Sequence, residues 1–373
     1  MDVLINGIMA ITLQQIIMMA IGCGLIYLAI EKDFEPALLL PMGFGAILVN
    51  IPMSGALNQV VKGTHIEGIL TFLFDGGITT ELFPLLIFIG IGAMIDFGPL
   101  LQNPFMLLFG AAAQFGIFFT ITLATLFGFS IKNAAAIGII GAADGPTSIF
   151  VATQFAKEYL GPISVAAYSY MALVPIIQPL AIKLVTTKKE RQIRMNYKAS
   201  SVSKKTRIIF PILVTLIAGL IAPISVPLIG FLMFGNLLRE CGVLERLSNT
   251  AQNELVNIIT ILLGLTIAST MTADKFITWE TLLIMGMGLI AFIADTIGGV
   301  LFAKFLNLFL KEKINPMVGA AGISAFPMSA RVIQKMAQKE DNQNFILMYA
   351  VGANVAGQIG SVIAGGLVLA LIH

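Results

Sequence analysis

One carboxylate constrains this chain more than any other residue. Asp144 stands in Gly141-Ala142-Ala143-Asp144-Gly145-Pro146-Thr147, a polar, helix-breaking knot between the apolar runs 134–140 and 148–156. If those runs cross a bilayer, the charge costs about 2.5–3.5 kcal/mol on insertion scales. The flanking Gly and Pro interrupt helical hydrogen bonding, and non-helical backbone at that depth persists only when buried in protein or lining a wet cavity. The chain must therefore wrap this break in other helices.

Composition agrees with a bilayer as the solvent. Hydrophobic residues are 57% of 373 positions and charged residues 11%, against about 25% charged in soluble domains. The class is a multi-pass, all-α protein of the cytoplasmic membrane. No basic n-region or small-residue cleavage site marks the first apolar run as a cleavable leader. The net charge of +2 carries no nucleic-acid signal, because the basic residues concentrate in one loop. Cys23 and Cys241 lie in apolar surroundings, and two histidines cannot build histidine-based metal chemistry. No G-x-x-x-x-G-K-[ST] phosphate loop and no Ser/His/Asp pattern is present.

Apolar spans run near 12–30, 37–52, 66–74, 82–97, 104–128, 134–156 and 162–186, then near 208–222, 225–238, 254–272, 281–310, 315–330 and 344–371. A spanning helix needs about 20 residues. The segments 82–97, 134–156, 225–238, 254–272 and 315–330 are short or carry internal Gly and Pro, which predicts broken or re-entrant helices. Between the two series, 183–207 holds nine of the 22 basic residues and one acid, Glu190. The positive-inside rule makes this loop cytoplasmic. It divides the chain into a first membrane repeat (1–182), a linker (183–207) and a second repeat (208–373).

A shift of 178 residues lays Gly141-Ala142-Ala143 on Gly319-Ala320-Ala321 and Asp96 on Asp274; one further residue lays Tyr170 on Tyr349. With an odd number of crossings each, the halves are inverted repeats whose breaks meet near the midplane.

The polar residues at these breaks suit a hard cation, which prefers oxygen ligands. Asp144 supplies charge, and Thr147 and Ser148 supply hydroxyls. Asn315-Pro316-Met317-Val318-Gly319-Ala320-Ala321-Gly322-Ile323-Ser324 repeats the device without a carboxylate. There Asn315 and Ser324 are neutral donors, and Gly319 and Gly322 permit a tight turn. Arg331 follows, and 354–361 (Asn354 to Ser361) is a further polar interruption. Tyr170 can donate or relay a proton. Each residue also has a plainer reading. Asp144 caps a helix, Ser324 and Asn354 bond neighbouring helices, Arg331 snorkels to the interface and Tyr170 joins an aromatic belt. Asp96 and Asp295 read as caps of half-helices.

Gly141–Thr147 continued by Ser148-Ile149-Phe150, Asn315–Pro327 with Arg331, and Asn354–Ser361, in that order, resemble the β subunits of the sodium-pumping, biotin-dependent decarboxylases. The resemblance covers about residues 10 to 371. It implies that a carboxyltransferase α subunit loads CO2 onto biotin held by a biotin carrier subunit. The membrane subunit then decarboxylates carboxybiotin, consumes a proton and exports Na⁺. This chain contains no Met-Lys-Met biotin-acceptor site. Carried over by residue, the essential acid is Asp144 and the tyrosine Tyr170. The family's Asn, Gly, Ser and Arg positions fall on Asn315, Gly319, Ser324 and Arg331, and a further Na⁺-site Asn on Asn354. The chemistry of the residues puts Arg331 at the anionic carboxybiotin with Asn315 and Ser324 as orienting donors, puts Asp144, Thr147, Ser324 and Asn354 at Na⁺, and leaves Gly145, Gly319 and Gly322 as structural glycines. The implied fold is an elevator-like inverted-repeat bundle, a homotrimer with small membrane γ or δ subunits. The chain lacks the extra sequence of oxaloacetate-type members, which favours a methylmalonyl-CoA or glutaconyl-CoA type. The rival is a Na⁺-coupled secondary transporter of a small anion, without chemistry.

Overall fold

The computed structural model describes residues 7, 9–33, 35–61, 64–195 and 201–372. Lys198 of the basic linker and His373 lie outside the described residues. The protein is all-α and multi-pass. Among the described residues, six helices are long and apolar enough to cross a membrane. A seventh span arises if Ile69–Thr79 and Leu82–Met94, bent by 59°, count together. One short antiparallel hairpin pairs Gln59–Val61 with Thr64–Ile66.

The helices sort into two layers. One contains α1 (Leu13–Lys32), α2 (Pro36–Asn50), α3 (Leu82–Met94) and, from the second half, helices Lys204–Ile221, Val226–Glu240 and Val256–Ile267. Within it, α1 packs on α2, α2 on Val256–Ile267, and α3 on Val226–Glu240. Lipid offers little hydrophobic drive between helices, so small residues let backbones approach. Gly92 and Gly235 do this for the last pair: a Cβ on either would run into the other helix's backbone.

The second layer holds α4 (Leu107–Ala112), α5 (Phe115–Leu126), α6 (Ile131–Gly138), α7 (Gly145–Phe155) and α8 (Leu160–Val185). Helices α9 (Trp279–Phe309), α10 (Met317–Ala320), α11 (Met328–Glu340) and α12 (Leu347–Leu371) complete it. Here α8 and α5 pack on α9, and α12 packs on α4 and α11. Each half of the chain thus contributes first to one layer and then to the other.

Of the segments expected to be broken, 134–156 and 315–330 are. The first passes through a 3-10 turn at Ile139–Ala142 and a left-handed Ala143 (φ 53°) before α7. The second stops after α10 and resumes at α11. The segment 82–97 ends its helix at Met94, and Asp96, one residue before the N-cap Phe97 of the next turn, accepts from Gly98 N at 2.8 Å.

Two expectations fail. Val226–Glu240 and Val256–Ile267 are unbroken. Pro227 falls in the first turn of its helix, where a missing N–H costs nothing, and Gly235 and Gly264 serve close packing. The stretch 104–128, read as a simple span, is one, Pro104–Leu126, but its hydrogen-bond ladder is interrupted by a turn at Ala113–Gln114 between α4 and α5. Side chains satisfy the freed backbone, as a bilayer requires. Gln114 Nε2 donates to Gly110 O at 2.9 Å, and the fully buried Asp295 of α9 accepts from Gly116 N. The polar run 354–361 does not interrupt α12, which is continuous.

The linker docks on the second layer. Arg191 pairs with Glu340 at 2.8 Å, Arg194 with Asp341 at 2.6 Å, and Lys304 with Glu190 at 2.9 Å.

Candidate functional site

The two broken segments cross. Ser324 N donates to Ala142 O at 2.9 Å, Ser324 Oγ to Gly357 O at 2.9 Å, and Asn354 Nδ2 to Ile323 O at 2.6 Å. The first break, the second break and the intact α12 are therefore tied at one place.

Asp144 lies at that crossing, 3% exposed, as N-cap of α7. Its Oδ1 accepts from Thr147 N at 3.3 Å. Its Oδ2 accepts from Thr147 Oγ1 at 2.7 Å, Ser361 Oγ at 2.7 Å and Gln358 Nε2 at 2.9 Å. Four donors on one carboxylate exceed what a cap needs, and two of them come from a helix more than 200 positions along the chain. Such bonds contribute about 1.5–3 kcal/mol each when the carboxylate is charged.

A cavity of about 360 Å³ opens on this carboxylate. Ala143, Asp144, Ser324, Arg331 and Gln358 line it from the second layer; Ile91 and Met94 line it from the first layer, with Gln252. Gln252 belongs to a π-helical turn, Ala251–Leu255, a distortion frequent at functional sites. The cavity thus lies between the two layers.

Among the described residues, no group of three or more His, Cys, Asp or Glu could hold a metal. A cation at Asp144 would take its other ligands from neutral oxygens. The hydroxyls of Thr147 and Ser361 can turn to accept, and a flip of the Gln358 amide presents Oε1 in place of Nε2. Asn354 Oδ1 is buried without a partner, a further free oxygen close to the crossing. The donor set fits Na⁺.

The remaining residues singled out in the sequence are distributed unevenly. Asn315 is not at the cavity: its side chain donates to Arg191 O at 2.8 Å and Ile193 O at 2.9 Å and accepts from Met317 N at 3.1 Å. It fastens the linker to α10. Tyr170 is not among the cavity's lining residues, and its hydroxyl donates to Met285 O on α9. The aromatic ring beside Asp144 is that of Tyr168, which fills the space a Cβ on Gly145 would need. Gly319 and Gly322 bracket the expected tight turn without adopting positive φ: Gly322 N donates to Gly319 O at 3.1 Å as α10 ends. What requires glycine there is close approach, Gly319 to Gly299 and Gly322 to the Phe109 carbonyl. The left-handed residue at the first break is Ala143.

Gln358, Ser361, Tyr168 and Gln252 escaped the sequence reading. For two of them a signal existed: Asn354, Gln358 and Ser361 recur at i, i+4 and i+7, one face of a helix. Gln252 offers none, because the π turn is not written in its neighbours.

Comparison with known proteins comes out uniformly. A family model described as the Na⁺-transporting oxaloacetate decarboxylase beta subunit matches residues 14–372. The methylmalonyl-CoA decarboxylase subunit beta of Propionigenium modestum is 50% identical, over 98% of this chain and 97% of its own length. The glutaconyl-CoA decarboxylase subunit beta of Acidaminococcus fermentans is 49% identical, over 98% and 96%. The oxaloacetate decarboxylase beta chain of Haemophilus ducreyi is 46% identical, over 98% and 97%.

Proposed function

The chain belongs to the family of Na⁺-transporting decarboxylase β subunits, and from that premise we propose that Asp144 is where its chemistry and its ion transport meet. As a member it is a multi-pass membrane subunit of a decarboxylase complex. The proposed substrate is carboxybiotin, held covalently by a biotin carrier subunit that a carboxyltransferase α subunit loads.

The N–CO2⁻ bond of carboxybiotin breaks, CO2 departs, and the ureido nitrogen keeps the electron pair and takes a proton. Arg331, which lines the Asp144 cavity, offers a planar fork to the carbamate, and Ser324 orients it. Asp144 exchanges its proton for Na⁺, since one carboxylate cannot hold both. Thr147, Ser361, Gln358 and Asn354 supply the neutral oxygens. Tyr170 lies outside the cavity in this conformation; its role in proton supply requires movement of α8 against α9. Asn315 acts by position, through the linker.

The placement of the cavity between layers supports a transport movement of one layer against the other. The alternation of the two halves between layers supports an inverted-repeat origin. A homotrimer with small γ or δ membrane subunits, and a methylmalonyl-CoA or glutaconyl-CoA type, complete the reading. The similarity to those two relatives favours the type.

The observation that carries the proposal is the buried Asp144 carboxylate, which accepts from both Thr147 and α12 and faces the same cavity as Arg331. The test is CO2 release from carboxylated carrier by the reconstituted complex, with Na⁺ titrated from zero. Na⁺-dependent release that vanishes in Asp144→Asn is expected. Undiminished Na⁺-dependent release in Asp144→Asn removes Asp144 from the coupling, and Na⁺ flux without CO2 makes the protein a carrier.

A further inference from the structure

Helix α11 carries a stripe of cations of which the proposed decarboxylation chemistry uses only the first, Arg331. Arg331, Lys335 and Lys339 are all exposed and recur every four residues, a line about 12 Å long. With Lys183 of α8 they rim a groove of about 330 Å³ whose wall is apolar, including Pro175, Val332 and Met336. The ion pairs among the described residues use Arg191, Arg194, Arg207, Arg239 and Lys304. None of the four groove cations takes part.

The groove has a direction. At one end Glu340 is tied to Arg191 and accepts from Gln192, so this end lies against the basic linker on the cytoplasmic side. At the other end Arg331 lines both the groove and the Asp144 cavity. A cationic path therefore runs from the cytoplasmic surface to the reaction cavity.

Resting on the proposed function, we propose that this groove is the landing surface for the biotin carrier, with the Lys335–Lys339 ridge meeting an acidic face of that protein. The carboxybiotin must arrive attached to its carrier, so whatever surrounds Arg331 on the cytoplasmic side meets the carrier's surface. The carbamate answers Arg331. Lys335, Lys339 and Lys183 remain, and carboxylates of the carrier would neutralise them. Rim charges of this kind act mainly on association rate and its salt dependence.

The test places Lys335→Glu with Lys339→Glu in the full complex and titrates carboxylated carrier. KM for the carrier should rise about tenfold or more and lose most of its dependence on ionic strength, with kcat at saturation retained. Turnover of free carboxybiotin should not change, which also reports correct folding. The Lys335→Gln, Lys339→Gln pair should fall between. An unchanged KM overturns the proposal. So does an equal loss with free carboxybiotin, which places the lysines in the chemistry. A defect cured by vesicles of anionic lipid, with carrier KM unmoved, makes the groove a lipid site and likewise overturns it. A wild-type complex that releases no CO2 from carrier defeats the proposed function itself, and this inference with it.

Discussion

Removing one hydroxyl from the Asp144 carboxylate should be read directly in sodium affinity. Ser361 Oγ lies 2.7 Å from Oδ2, placed to turn its lone pair to a cation held by that carboxylate, and a contact between a hydroxyl and a charged group is worth about 1.5–3 kcal/mol. At 1.4 kcal/mol per decade, Ser361→Ala should raise half-saturating Na⁺ by about 10- to 150-fold. Thr147→Val should act similarly, since it deletes the 2.7 Å hydroxyl bond but keeps the 3.3 Å bond from the backbone. Ser148 supplies the control. Its hydroxyl is equally buried and one residue from Thr147, yet it donates to the Asp144 backbone carbonyl at 2.8 Å. Ser148→Ala should therefore move the Na⁺ midpoint by less than about threefold, the effect of an ordinary neutral bond at its weak end. The assay is the initial rate of CO2 release by the reconstituted complex against Na⁺ concentration, with carrier saturating. If Ser148→Ala shifts the midpoint as far as Ser361→Ala, the effect is loss of fold rather than loss of a carboxylate partner, and the reasoning fails.

Two further outcomes follow from the geometry. Asp295→Ala strips the acceptor from Gly116 N at the start of α5 and leaves a buried donor unpaired, a loss of about 1–3 kcal/mol. Its thermal midpoint in detergent should fall clearly, whereas Asp295→Asn, which keeps an acceptor, should fall less; equal losses would argue for a charge-dependent role. At the linker, the hydrogen bond from Arg194, with help from Gln343 N and the Arg194 charge, holds the Asp341 carboxyl below its ordinary value. A depressed folded value means the pair stabilises above the unfolded pKa, about 3.9, and is lost as pH falls below that. Melting curves should show a wild-type advantage over Asp341→Asn that is constant at neutral pH and disappears in strong acid; an advantage that persists there contradicts the assignment.

What the sequence made legible was whatever depends on neighbours along the chain. The break at Asp144 is written in the adjacent Gly and Pro, and the linker in its run of basic residues. The turn between α4 and α5 was not, because Asp295, the group that satisfies it, comes from a different helix. The same logic divides the glycines. Gly319 suggested a turn by its identity and a turn follows it, but what demands glycine there is Gly299 across the helix interface, which no local pattern contains.

The site follows this rule and gains its meaning from it. Asp144 and Thr147 are local, and a sequence motif suffices to find them. Gln358 and Ser361 complete the carboxylate's shell from an unbroken helix, and the cavity closes only against Ile91 and Met94 of the other layer. Here the carboxylate and its ligands ride on one layer while the wall of the cavity belongs to the other. On the proposed function, sliding the layers would change access to Asp144 and leave its shell intact, while emptying the Arg331 end would change the charge in the same cavity. That division is what would let a single carboxylate answer both to decarboxylation and to the side of the membrane it faces.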